Sequence, residues 1–328
     1  MHSVSVVIPV YRGEFTLRPM LDSLIPLAND QITPTGLPFR ITEVIMVYDN
    51  GPDESDRVIR ELSVLSSLVR PVWLSKNNGQ HAATLAGMAS SSGDWVVTMD
   101  EDGQQDPADI GVMLDVALAV GAQVVYGKPI NPPPHGPLRN LASRLAKRMV
   151  SILSGNHRAA DYNSYRLVLG SVARGVAAYA GVGVYLDVAL GWIAGRFTTA
   201  PVRLSAESRQ SGYTWRSLAS HFWRMVISSG TRPLRLVGLV GALFGLVGFL
   251  LAAWVIVIKL AFGINATGWA STIVILLGAV GVILFSLAVI AEYVGVAVSM
   301  AMGKPPYFIV TDPESGPLRR AGSPTESE

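Results

Sequence analysis

The stretch DWVVTMDEDGQQDP, residues 94–107, is an apolar strand that ends in three consecutive acidic residues. Earlier in the chain, the apolar segments SVSVVIPV (3–10), TEVIMVYD (42–49) and RPVWLS (70–75) are also typical of strands. Between the strands lie segments typical of helices: EFTLRPMLDSLIPLA, ESDRVIRELSVLSSL and HAATLAGMASS. This alternation predicts an α/β fold in which helices cover a mostly parallel sheet.

Polar residues follow three of these strands at the point where each strand ends: Tyr11, Asp49 and Asp100. The carboxyl ends of parallel strands meet at one edge of the sheet, where ligands bind. If Asp100 and Asp102 continue the strand, their side chains point to the same side. Two carboxylates placed in this way can share Mg²⁺ or Mn²⁺, which prefer oxygen ligands. The alternative interpretation is an acidic, solvated turn.

Composition restricts the classes of function. The chain has 328 residues and a mass of 35.0 kDa, yet only 15% of residues are charged and the mean hydropathy is +0.38, which is more apolar than an ordinary soluble enzyme. A net charge of +2 argues against nucleic acid as a partner, and the absence of cysteine excludes disulfides and thiolate metal sites. The first ten residues lack the features of a signal peptide, so we expect the N-terminal part in the cytoplasm.

Two uncharged runs, 236–258 and 269–291, are each long enough to cross a bilayer as a helix, which takes about 20 residues. A pair of buried core helices is the alternative. Arginines precede the first run and Lys304 follows the second, so the positive-inside bias predicts that both ends face the cytoplasm. Gly241 and Gly245 have a spacing that favours helix pairing within or between chains.

Several motifs together resemble a known family: VVIPVYRG, DNGPDES, KNNGQHAATLAGM, MDEDGQQDP and DYNSYRL, followed by two apolar runs. The chain is similar to the family 2 polyprenyl-phosphate glycosyltransferases, which have a GT-A fold. The resemblance extends from about residue 3 to residue 310. It implies a Rossmann-like, mostly parallel cytoplasmic domain followed by two transmembrane helices.

The absence of a GxxxxGK[ST] loop, and of GxGxxG after the first strand, weakens the kinase, ATPase and dinucleotide-binding alternatives.

The resemblance also implies a donor site for a nucleotide-diphosphate sugar, with a UDP-sugar favoured. Asp100 and Asp102 would hold Mg²⁺ or Mn²⁺ and the diphosphate, with Gln104 beside them. The remaining donor-binding residues that the resemblance implies are Pro9, Tyr11, Asp49 and Gln80. His81 is interpreted as a local hydrogen-bonding group, because no second histidine stands at ligand spacing.

On the acceptor side, the resemblance implies a membrane polyprenyl phosphate, with undecaprenyl phosphate favoured. Asp161 and Arg166 join Asp102 as predicted catalytic residues; Asp161 would orient the nucleophile or take the last proton, and Arg166 would bind phosphate or pair with an acid. The predicted lipid-phosphate ligands are Arg139, Arg209 and Arg216, and the choice between the last two is left open.

Four parts follow from these features: a glycosyltransferase domain (1–212), an amphipathic juxtamembrane segment (213–234), two transmembrane helices (235–297) and a cytoplasmic tail (298–328). We expect disorder after about residue 311, because the tail is polar and rich in Pro, Gly and Ser. The segment RNLASRLAKRMVSIL is expected to form a basic amphipathic helix, which lies either at the membrane interface or packed on the sheet as a surface helix. The resemblance further implies a homo-oligomer, with a tetramer as one form.

The predicted function is metal-dependent, inverting transfer of a sugar from a nucleotide sugar to a polyprenyl phosphate, for modification of cell-envelope glycans. A processive polysaccharide synthase is one alternative; such enzymes usually carry a QxxRW motif and more spans, and this sequence has no Gln-x-x-Arg-Trp. A catalytically inactive membrane adaptor is the other. The pair Asp100 and Asp102 argues against the adaptor, because a platform protein has no use for a metal site.

Overall fold

A computed structural model describes residues 1–130, 162–181, 183–205, 232–262 and 268–315. Within these ranges the strands are β1 His2–Val10, β2 Gln31–Ile32, β3 Pro38–Tyr48, β4 Val69–Leu74, β5 Trp95–Thr98, β6 Val124–Pro129, β7 Arg166–Leu169, β8 Phe197–Val202 and β9 Ile309–Val310. The helices are α1 Leu17–Leu24, α2 Ser55–Leu65, α3 Gln80–Ser90, α4 Asp109–Val120, α5 Gly170–Tyr179, α6 Leu186–Ile193, α7 Arg232–Phe262 and α8 Trp269–Ala301.

The described strands form one sheet in the order β8-β6-β7-β5-β1-β3-β4-β9, with the short β2 paired to β3. Strand β1 lies at the centre and pairs in parallel with both β3 and β5, while β3 pairs in parallel with β4. Strand β7 runs antiparallel to β5 and β6, and β9 runs antiparallel to β4. The predicted α/β fold with a mostly parallel sheet is confirmed.

Alternation along β1 explains why helices cover both faces of the sheet. Val6 and Ile8 belong to the core on the side of α1, α2 and α4, whereas Val7 belongs to the core on the side of α3, α5 and α6. Helix α3 lies so close to β1 that a β-carbon at Gly87 would be 2.3 Å from Val7 Cγ1. The glycine in the LAGM segment is therefore required by close helix–strand packing.

Helices α7 and α8 differ from the others, because little of their most apolar stretches is buried in the protein. These stretches are Val237–Ile258 and Gly278–Ala301, and each is long and apolar enough to cross a membrane. Large side chains such as Phe249 and Trp254 are exposed. This exposure fits the predicted spans and does not fit the alternative of buried core helices.

Both predicted spans are parts of longer helices: α7 extends from Arg232 to Phe262, and α8 extends from Trp269 to Ala301. Helix α8 continues ten residues beyond 291, because the residues after Glu292 are apolar and helix-compatible until Gly303, whose φ is +64°. Among residues 311–315 of the tail, Asp312 forms an ion pair with Arg60. The predicted interfacial helix of residues 139–153 and most of the predicted juxtamembrane segment lie outside the described residues.

Candidate active site

The sheet brings the predicted polar residues to one edge. Because β1, β3 and β5 are parallel neighbours, the residues that follow them, Tyr11, Asp49 and Asp100, all lie at the carboxyl edge of the sheet. Pro9 is buried in β1 opposite Val47, next to this edge. The sheet therefore brings Tyr11 and Asp100 to the same edge, although they are almost ninety positions apart in the sequence.

Asp100 is the most constrained side chain at this edge. Gln80 Nε2 donates a hydrogen bond to Asp100 Oδ1 at 2.5 Å, and Gln105 Nε2 donates to Oδ2 at 3.0 Å. The Ser164 hydroxyl also donates to Oδ2. In return, Gln105 Oε1 accepts the backbone N–H of Asp100 at 2.9 Å. Side chains from three separate segments thus fix both carboxylate oxygens.

The charges around Asp100 favour a cation. Burial raises the pKa of Asp100, the hydrogen bond from Ser164 opposes this, and the neighbouring charge of Asp102 raises the pKa further. The exposed Asp102 accepts the backbone N–H of Gln104 through Oδ1 at 3.0 Å. A divalent ion would offset both the desolvation of Asp100 and its repulsion from Asp102. The residues therefore fit the predicted Mg²⁺ or Mn²⁺ site.

Protein ligands for such an ion are few. Among the described residues, no group of three or more histidine, aspartate or glutamate side chains could hold a metal. Asp100 and Asp102 supply two carboxylates, and Mg²⁺ typically takes one or two carboxylates and completes its shell with water and substrate phosphates. The edge therefore suits an ion that binds together with a diphosphate.

Glu101, between the two aspartates, has a structural task that the sequence did not reveal. Its carboxylate accepts the backbone N–H of Tyr11 at 2.7 Å and that of Arg12 at 2.9 Å. The acidic turn after β5 is thereby joined to the loop after β1. The Tyr11 side chain itself is 40% exposed at this edge, where a ligand can contact its ring.

Asp49 holds the loop that precedes α3. Its side chain is buried, and its two oxygens accept the backbone N–H groups of Asn78 at 2.7 Å and Gly79 at 2.8 Å. Burial raises the pKa of Asp49, and these two hydrogen bonds oppose the rise. In this structure Asp49 thus positions the segment that presents Gln80, and its predicted contact with the donor stays a prediction.

Arg166 is enclosed in the protein. Its guanidinium forms an ion pair with Asp187, both side chains are only 4% exposed, and Tyr126 Oη donates to the same Asp187 oxygen at 3.0 Å. Of the two alternatives that the sequence left open, pairing with an acid is the one present here. The positive charge of Arg166 also lowers the pKa of Asp100 and thus favours the ionised form of that carboxylate.

Two functional contacts were missed by sequence reasoning. Gln104 lies beside the acids as predicted, with its backbone N–H donating to Asp102, and its contact with the donor stays a prediction; the buried side chain of Gln105, which the sequence did not single out, binds Asp100. Ser164, within the motif DYNSYRL, was also overlooked as a partner of Asp100. The available signal for Gln105 was the doubled amide after the acids, because one of two adjacent side chains must face inward.

Residues on both sides of the segment before α6 contact other parts of the protein. The rings of His81 and Tyr185 are in contact, with centroids 3.9 Å apart, next to Gln80. The segment that leads to Tyr185 contacts α8, since a β-carbon at Gly181 would be 3.3 Å from Met300 Cγ. Tyr185 thus lies against His81, the neighbour of Gln80, and Gly181 lies against α8. The remaining predicted site residues lie outside the described residues: Arg139, Asp161, Arg209 and Arg216.

The mixed, mostly parallel sheet with Asp100 and Asp102 after β5 at its carboxyl edge is typical of glycosyltransferases of the GT-A class. The family model of glycosyl transferase family 2 matches residues 5–173, and the chain belongs to that family. This confirms the family predicted from the motifs.

Relatives match along nearly the whole chain. An undecaprenyl-phosphate 4-deoxy-4-formamido-L-arabinose transferase of Aeromonas hydrophila is 30% identical, over 93% of this chain and 92% of its own length. An SfII prophage-derived bactoprenol glucosyl transferase of Shigella flexneri is 24% identical, over 93% and 97% of the two chains. Among solved structures, glucosyl-3-phosphoglycerate synthase of Mycobacterium tuberculosis aligns with a TM-score of 0.49 and 17% identity, over 70% of this chain and 78% of that one.

Proposed function

We propose that this glycosyltransferase moves a sugar from a nucleotide-diphosphate sugar to a membrane polyprenyl phosphate, with inversion at the anomeric carbon. A UDP-sugar and undecaprenyl phosphate are the favoured substrates, and the product would serve cell-envelope glycan modification. The observation that carries the proposal is the pair Asp100 and Asp102 at the carboxyl edge of the sheet, in a chain whose helices α7 and α8 are long and apolar enough to cross a membrane. An acceptor anchored in a bilayer can present its phosphate there, and the names of the relatives support this class of acceptor.

The acceptor chemistry requires little activation. A phosphate monoester has a second pKa of about 6, so its oxygen is largely ionised at neutral pH and is nucleophilic. This oxygen forms a bond to the anomeric carbon while the bond from that carbon to the nucleoside diphosphate breaks, and the electron pair leaves with the diphosphate. A strong general base is unnecessary, and the orienting role of Asp161 stays a prediction.

The protein contributes mainly positioning and electrostatics. Asp100 and Asp102 would hold the divalent ion, which when bound neutralises charge on the leaving diphosphate. Hydrogen bonds from Gln80, Gln105 and Ser164 fix the orientation of Asp100 before substrate arrives. The acceptor phosphate would be oriented by one or more of the predicted arginines Arg139, Arg209 and Arg216.

The location and assembly that we propose follow the same reasoning. Both ends of the chain would face the cytoplasm, with α7 and α8 crossing the plasma membrane. The apolar faces of these helices leave room for a homo-oligomer, and a tetramer is the form that the family resemblance suggests. Such an assembly would keep several catalytic edges at one membrane surface.

The test is release of nucleoside diphosphate by the detergent-purified full chain from a panel of UDP-, GDP- and CDP-sugars, with Mn²⁺ or Mg²⁺. Each donor is assayed with and without undecaprenyl phosphate. We expect one donor to be turned over only when the lipid is present. Asp102→Asn should lower this turnover by about 100-fold or more, because it removes one of two ion ligands.

A matched substitution separates this effect from a general loss of charge. Asp22→Asn removes an exposed carboxylate on α1, away from the catalytic edge, and should leave turnover unchanged. Repeated addition of sugars to one growing product would favour a processive synthase instead. Failure to bind or turn over any nucleotide sugar would favour the inactive adaptor and refute the proposal.

A further inference from the structure

After α8 the chain returns to the catalytic domain and completes its sheet. Strand β9 pairs with the end of β4, with Ile309 opposite Leu74 and Val310 opposite Trp73. One residue further, the backbone N–H of Ser75 donates to the carbonyl of Phe308 at 3.0 Å. The chain segment that leaves the second apolar helix thus covers an edge strand that would otherwise expose its hydrogen-bonding groups.

An ion pair fastens this segment beyond β9. Arg60 of α2 binds Asp312 through two parallel contacts, Nε to Oδ2 at 2.9 Å and Nη2 to Oδ1 at 3.0 Å. The guanidinium also lies over the ring of Trp73, 4.8 Å from its centroid. Because the side chains of Arg60 and Asp312 are only 21% and 22% exposed, this pair is better shielded than Arg18–Glu61, at 49% and 42%.

The covered end of β4 continues directly into the donor side of the candidate active site. The carbonyl of Leu74 accepts a hydrogen bond from Asn50 Nδ2, and the next residues lead to Asn78 and Gly79, whose N–H groups bind Asp49. Gln80 then reaches Asp100. The segment 75–79 is therefore anchored at its start by Phe308, the residue before β9, and at its end by Asp49.

We propose that Arg60 and Asp312 are positioning residues for the nucleotide-sugar donor. Their ion pair keeps β9 on β4, and β9 keeps residues 75–79 in the conformation that presents Gln80 to the metal-binding carboxylates. The donor site is complete only when the chain has returned from the membrane. This inference rests on the proposed function for the identity of the donor, whereas the order of residues 75–79 is independent of it.

The test compares Asp312→Asn with Glu314→Gln in the detergent-purified full chain. Both substitutions replace a carboxylate that contacts Arg60, but Glu314 is 59% exposed and forms a single contact at 3.2 Å. Hydrogen exchange of residues 75–80 is measured by mass spectrometry, and the KM and kcat for the donor are measured with undecaprenyl phosphate. We expect exchange and donor KM to rise about three- to thirtyfold in Asp312→Asn, with kcat nearly unchanged.

Glu314→Gln should behave as the wild type in both measurements. Arg60→Lys keeps the charge but cannot form the two parallel contacts, so it should reproduce the effect without an uncompensated carboxylate. Lowered thermal stability with unchanged exchange and unchanged donor KM would overturn the proposal, because Asp312 would then serve stability alone. Wild-type protein that uses no nucleotide sugar would refute the proposed function, and the exchange measurement would still decide the role of Asp312.

Discussion

At the scale of single residues, the orientation of Asp100 depends on neighbours that carry no charge. Ser164 and Gln105 both donate to Asp100 Oδ2, and Gln105 also accepts the Asp100 backbone N–H. Such partners would hold the proposed metal ligand Asp100 in one rotamer, so that a bound ion would not have to order it. Their removal should therefore weaken ion binding more than it weakens the fold.

Ser164→Ala tests this arrangement. We expect the Mn²⁺ concentration that gives half-maximal activity to rise about 10- to 100-fold, because one donor to Asp100 is lost while both carboxylates remain. The measurement is donor turnover as a function of Mn²⁺ concentration at saturating lipid. Ser23→Ala is the matched control, since the Ser23 hydroxyl bonds only within α1, to the carbonyl of Met20. Lower activity with unchanged Mn²⁺ dependence would contradict the assigned role.

At the scale of elements, a buried carboxylate joins three strands at the opposite edge of the sheet. Glu43 of β3 accepts hydrogen bonds from the hydroxyl of Ser5 in β1 at 2.6 Å and from the backbone N–H of Ser92, before β5, at 2.6 Å. The register between β1 and β3 shifts at Ser5, which is where this contact forms. Burial raises the pKa of Glu43, but hydrogen bonds from Ser5, Ser92 and Arg70 outweigh it, so the net pKa is lowered.

A lowered pKa gives Glu43 a pH-dependent contribution to stability. The contribution is complete above the ordinary carboxyl value of 4.5 and is lost as the pH falls through the lower folded value. Glu43→Gln should therefore cost about 1–3 kcal/mol at pH 7, and the difference from wild type should shrink below pH 4.5. Thermal unfolding in detergent across this pH range measures the effect.

The matched control for Glu43 is Glu61→Gln, which removes an exposed carboxylate from the pair with Arg18. Its stability should follow that of the wild type at every pH, because an exposed ion pair contributes little. A stability difference for Glu43→Gln that stays constant with pH would show that shape, and not charge, makes residue 43 important.

At the scale of the whole molecule, the charges at the ends of the two apolar helices bear on the proposed membrane topology. Arg232 and Arg235 stand at the start of α7, and Lys304 follows α8, whereas the catalytic domain precedes both helices. Positive residues at these ends favour the cytoplasmic side. The short connection between the helices would then face the opposite side of the membrane.

The absence of cysteine from the chain makes this orientation directly measurable. We expect a membrane-impermeant maleimide to label Gly268→Cys, at the start of α8, in intact cells. Ser315→Cys, beyond β9, should be labelled only after the membrane has been opened, because the proposed topology places the tail in the cytoplasm. The unsubstituted chain reports background labelling. The reverse pattern of labelling would invert the proposed topology.

Sequence alone determined the features that depend on local pattern. Alternating apolar segments predicted the sheet and helices, the acidic triplet after β5 predicted the paired carboxylates, and two uncharged runs predicted α7 and α8. These signals are readable because strand direction, helix length and side-chain alternation follow from neighbouring residues. The family resemblance rests on the same motifs, and the match to residues 5–173 confirmed it.

Only the tertiary structure decided which side chains meet. It selected Gln105 over Gln104 as the partner of Asp100 and turned Arg166 inward toward Asp187. It also joined Asp312 to Arg60, residues that are 252 positions apart in the sequence. A motif determines which residue types are present, but packing and burial determine the orientation of each side chain. A buried polar group needs a hydrogen-bond partner, and the folded chain decides where that partner lies.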